Sequence, residues 1–175
     1  MKLTYYERVS LIFLLEILKS LPSQDKLSDE SIELMSEALA HGWERDYFSA
    51  IDMWIEKETF SAAECKEVID ILQMHRLIIN AKYQTFVSSD EDRFFLKFQG
   101  FSGNEESKYL SYTNYLIERR GLFMELRNKG GHNSHFPMLD RYRRMAAEWR
   151  KADDSFNLNE ADVLRILSAS KHTPL

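Results

Sequence analysis

The chain has 175 residues, 44% of them apolar and 13% aromatic, with 6 Gly, 3 Pro and a net charge of −5 at pH 7. That length suits one domain spanning residues 1–175, and scarce backbone breakers among many Leu, Glu, Lys, Arg and Ala residues favour helix. One cysteine, Cys65, rules out an internal disulfide or a cysteine-based zinc site and fits a reducing cytoplasm, while a pI near 5.6 is far from the basic footprint of a nucleic-acid domain.

"TYYE" opens the first helix as a capping box, with Thr4 accepting from the backbone three residues on and Glu7 reaching back. Val9, Ile12, Phe13 and Ile17 follow at helical spacing, and the apolar run "VSLIFLLEIL" is too short to span a bilayer. It predicts a buried first helix in a cytoplasmic protein with no membrane segment. Ser28 or Asp29 caps a second helix striped by Ile32, Met35 and Leu39, with Gly42 as a left-handed stop. "RDYFSAIDMWI" reads as a short helical stretch. "SAAE" from Ser61 is a second capping box, and it starts the longest periodic stripe: Cys65, Val68, Ile69, Leu72, Ile79 and Tyr83.

"SSDED" is a polar break, and "RFFLKFQGF" is the one candidate for a minor extended segment, near 93–99. "SGNEES" caps a further helix carrying Tyr109, Leu110, Tyr112, Thr113, Leu116 and Ile117. Pro137 suits the first turn of a helix running to about Lys151, and Asn159 with Asp162 caps a last one through Leu167. The prediction is therefore all-α, a multihelical array of about seven helices around one core.

Charge is uneven along the chain. Residues 1–107 hold 11 Lys/Arg against 20 Asp/Glu, whereas residues 108–151 hold 10 against 4. The helix "MLDRYRRMAAEWRK" gathers Arg141, Arg144 and Lys151 on one side and Met138, Tyr142, Met145 and Trp149 on the other. The second stripe reads as core and the first as a solvated face or protein contact, with a grip on nucleic acid by Arg141, Arg143, Arg144 and Arg150 as the alternative.

No catalytic set emerges. His132 and His135 stand at a spacing that can hold a cation, but they precede a helix and lack an HExxH or a repeated Glu-x-x-His, so they are weak metal candidates. His75 reads as a core histidine with a backbone or carboxylate partner, His41 as a helix C-terminal cation, and Cys65 as packing. The loops "NKGG" and "GFSGN" match no phosphate-binding pattern. A hydrolase or nucleotide-acting enzyme using Glu and His residues such as Glu106 and His75 is the second alternative; no cofactor is expected.

Five segments together resemble the YfbU family of bacterial proteins: "LTYYERVSLIFLLEIL", "TFSAAECKEVIDILQMHRLI", "FQGFSGNEESKYLSYTNYL", "GHNSHFPMLDRYRRM" and "FNLNEADVLRIL". The resemblance implies a compact, largely helical, self-associating domain with no established reaction, substrate or cofactor. It places Gly100, Phe101, Glu106, Tyr109, Gly131, Asn133, Pro137, Met138, Arg141 and Tyr142 at motif positions, with Arg144 beside them, and carries over no catalytic residue. The segment from Leu122 to Gly130 fits the family pattern least. The expected function is contact with protein partners, first of all a second copy.

Overall fold

The computed structural model describes residues 2–22, 27–49, 55, 58–81, 89–152 and 154–171. Among these are seven α-helices and no strand, so the all-α expectation holds. They fall into two compact units, residues 1–59 and 60–175, each with its own hydrophobic cluster.

The first unit is a pair of helices, α1 (Tyr5–Ser20) and α2 (Asp29–His41). Thr4 and Glu7 form the expected capping box, Ser28 caps α2, and Gly42 ends it at φ +77, where a side chain would be strained. Arg8 near the start of α1 donates to the Leu39 carbonyl at the end of α2 (2.8 Å), while Lys19 near the end of α1 meets Glu33. The helices therefore run antiparallel. Leu11, Ile12, Leu15 and Leu18 pack on Ile32, Met35, Ala38 and Leu39.

That packing corrects the expectation of a buried first helix. Only Leu15 of α1 is buried, and Phe13 and Ile17, predicted to face inward, are 66% and 57% exposed. The helix is apolar nearly all round, so periodicity cannot choose its inner face. The short helix expected over 45–55 is turn structure at 44–49, and residues 50–54 lie outside the described residues.

The second unit starts with α3 (Ala62–Asn80), opened by the Ser61/Glu64 capping box. It buries Val68, Ile71, Leu72, Met74, His75 and Ile78; Ile69 is partly exposed, and Tyr83 lies outside the described residues. Next come α4 (Asp90–Leu96) and α5 (Ser107–Asn114), the latter continued by a π-helical turn at Tyr115–Arg119, and a single 3-10 turn at Met124–Leu126. Residues 93–96, expected to be extended, are thus the last turn of a helix. The extended backbone comes later, as one parallel bridge between Phe101 and Asn133.

Two more helices complete the unit, α6 (Leu139–Trp149) and α7 (Glu160–Lys171). Pro137 lies just before the first turn of α6, not within it. Asn159 and Asp162 exchange the expected bonds at the start of α7 (2.9 and 3.3 Å). Ion pairs Arg143–Glu67 (2.8 Å) and Arg150–Asp70 (3.0 Å) join α6 to α3, while Arg141 near the start of α6 reaches the Ser170 carbonyl at the end of α7 and Glu148 near the end of α6 meets Arg165 (3.5 Å). So α7 runs antiparallel to α6. Met138, Tyr142, Met145 and Trp149 form the buried stripe read from the sequence.

Candidate functional site

The motif residues converge on one joint, where the loop after α4 meets the loop before α6. The Phe101 N–H donates to the His132 carbonyl (3.0 Å), and the Ser134 N–H donates to the Phe101 carbonyl (3.1 Å). Gly100 makes this approach feasible: it has φ +89, and a Cβ there would stand 1.7 Å from the His132 carbonyl oxygen. Asn133 ties both sides, its Oδ1 accepting from Gly103 N–H (3.1 Å) and His135 N–H (2.9 Å). Gly131 turns the chain at φ +87.

Glu106 is the electrostatic centre. It sits at the start of α5 but does not cap that helix with its side chain. Its Oε1 instead accepts from the Met138 and Leu139 N–H groups at the start of α6 (2.8 and 2.6 Å), and its Oε2 accepts from the Ser102 N–H (2.9 Å). A carboxylate is favoured there by the unsatisfied amides and positive end of α6. Tyr142 accepts the Gln99 N–H on its hydroxyl (3.0 Å), and its ring packs on Phe98, Phe101 and His75. Burial holds its phenol far above the ordinary range.

Tyr109 donates to Glu67 Oε2 (2.7 Å), and Arg143 grips the same carboxylate. Arg143 lowers the Glu67 pKa, while burial and Glu67 push the Tyr109 hydroxyl up to about 12. Arg141 and Arg144 stand apart from the loop joint, bonded to the last carbonyls of α7 (3.1 to 3.3 Å). Every arginine proposed for nucleic-acid contact is therefore bonded inside the fold: Arg141 and Arg144 to α7, Arg143 and Arg150 to α3.

The histidines separate. The His132 side chain is buried, with Nε2 3.4 Å from Glu118 Oε1, and burial lowers its pKa against the pull of that carboxylate. His135 is exposed at φ +61, a left-handed position that costs a non-glycine residue energy. His75 is fully buried among the rings of Phe98 and Tyr142. The partner expected for it is absent: neither ring nitrogen has a hydrogen bond among the described residues. Glu106 bonds to three amides elsewhere, so these two residues do not meet as an accessible acid–base pair.

The joint thus arranges helices through buried side chains bonded to backbone amides. The open apolar surface is on α1. At 100° per residue Tyr6, Phe13, Leu14, Ile17 and Leu21 share one side, and they are 80%, 66%, 59%, 57% and 50% exposed. The sequence reading missed this face because it assigned the whole helix to the core. The available signal was the width of the apolar arc, too broad for one inner stripe.

A helical protein built around a loop-to-helix joint is the class these features define. The chain belongs to the YfbU family: the model of the YfbU domain matches residues 1–169. It is similar to a UPF0304 protein of Methanocaldococcus jannaschii, 30% identical over 174 residues, which covers 95% of this chain and 99% of that protein. No helix among the described residues is long and apolar enough to cross a membrane.

Proposed function

We propose that the protein acts in the cytoplasm through protein–protein contact, and that its first partner is a second copy docked on the outer face of α1. The observation that carries this reading is the five-residue apolar stripe. At ~200 Å² for a large side chain laid bare, its exposed fractions amount to roughly 600 Å². A standard interface buries ~800 Å² per partner, of which roughly 60% is apolar, so one such face is enough for a stable pair. Isolated monomers rarely show a contiguous apolar patch beyond ~600 Å². Phe13 and Leu14 lie at the middle of the stripe, so an antiparallel two-fold axis there would lay it on itself head to tail. The family match runs across both units, which supports reading residues 1–175 as one functional domain.

Light scattering on the full chain tests this. The wild type is expected at twice the chain mass, and Phe13→Glu/Ile17→Lys as a helical monomer by circular dichroism. A wild type that stays monomeric at every concentration overturns the reading. So does a double variant that keeps the dimer mass.

A further inference from the structure

A groove of about 840 Å³ opens on the second unit, between the end of α4 and the loop after the 3-10 turn. Leu96, Phe98 and Leu126 make an apolar floor. Four cations line the walls among the described residues: Arg93 and Lys97 from α4 and its end, and Arg127 and Lys129 from the loop. The chain as a whole has more acids than bases, 28 against 23. Yet the only carboxylate among the described lining residues is Glu125, already bonded to Arg76.

The walls are held in place. Gln99 Nε2 donates to the Phe94 and Lys97 carbonyls (2.6 and 3.1 Å), closing the end of α4 under Lys97. Asn128 Oδ1 accepts from the Gly130 N–H (3.2 Å) and the Asn128 carbonyl from the Gly131 N–H (3.0 Å), shaping the loop that carries Lys129. Glu118 grips Arg127 with bonds of 2.7 and 3.1 Å and so orients its guanidinium. Arg93 is 3.7 Å from Asp90 at the rim. Lys97 and Lys129 are exposed.

Gathering like charges around one concave surface costs repulsion, and low-dielectric walls focus the resulting positive potential on whatever enters. The volume lies within the ~300–1,000 Å³ of small-molecule sites. We infer that this groove binds a phosphate-bearing small molecule. Its anionic end lies between Lys97, Arg127 and Lys129, where charge-assisted bonds are strongest, and its organic body covers the apolar floor. The site lies in the second unit and does not depend on self-association through α1.

Calorimetric titration of the full chain at ~50 mM salt with inorganic pyrophosphate and with adenosine diphosphate tests this. Saturable one-to-one binding of at least one probe is expected. Lys97→Gln/Lys129→Gln, which alters two exposed side chains, should weaken it by at least about tenfold, while Lys66→Gln on α3 should leave it unchanged. Tighter binding of adenosine diphosphate than of pyrophosphate supports an organic body on the apolar floor; equal or weaker binding overturns that part and leaves a site for inorganic phosphate groups. No saturable binding of either probe overturns the inference, as does equal weakening by the Lys66 variant.

Discussion

His75 is a polar side chain enclosed by aromatic rings, and that has a pH consequence. Burial lowers its pKa from 6.5 to about 3, so the folded protein keeps it neutral where the unfolded chain takes up a proton. The sign follows from linkage. The histidine costs no stability above pH 6.5, and stability falls as the pH drops from there toward 3, by at most about 1.4 kcal/mol per pH unit. Urea unfolding at pH 7.5, 6.5 and 5.5 should show this loss, above the range where carboxylates begin to protonate. His75→Leu should flatten it, leaving a smaller slope from His132, whose pKa is also lowered. An unchanged slope in the variant would mean that His75 is protonated in the native state. The core position of His75 was legible from its place on the α3 stripe. Its lack of a partner was not, because hydrogen-bond satisfaction depends on neighbours from α6 and the loop at Phe98 that adjoin it only in the fold.

At the scale of elements, α6 shows how a basic helix can be consumed by its own fold. Arg144 donates from Nε to the Ala169 carbonyl (3.1 Å) and from Nη2 to the Ser170 carbonyl (3.3 Å); Arg141 joins it and lies over the Phe95 ring. These cations satisfy orphan carbonyls and the negative end of α7. Arg144→Ala should therefore cost roughly 1–2 kcal/mol in urea unfolding. Arg144→Lys should recover only part of it, because an ammonium lacks the planar fork. A variant as stable as the wild type would release Arg144 for an external partner. The arginine cluster and apolar stripe were both visible in "MLDRYRRMAAEW". The destination of the arginines was not, since the carbonyls they meet lie some 25 residues further along the chain.

For the molecule as a whole, association through α1 predicts a melting temperature that depends on protein concentration. Binding of a second folded copy stabilises the native state by mass action, so a hundredfold dilution should lower the midpoint seen by circular dichroism. The Phe13→Glu/Ile17→Lys variant should melt independently of concentration. A wild-type midpoint constant across that range would leave the stripe without the proposed partner. The sequence by itself determined the helical class, the caps at Thr4, Ser28 and Ser61 and the stop at Gly42, because these depend on residues within one or two turns. The resemblance to the family put Gly100, Glu106, Asn133 and Tyr142 at motif positions without saying which of them meet. Only the tertiary structure decided that Glu106 serves α6 and not its own helix, that Phe98 to Phe101 meets His132 to Ser134, and which side of α1 faces inward. Each of those outcomes rests on contacts between segments distant along the chain. For α1 the local pattern was apolar on both sides, and packing against α2 made the choice.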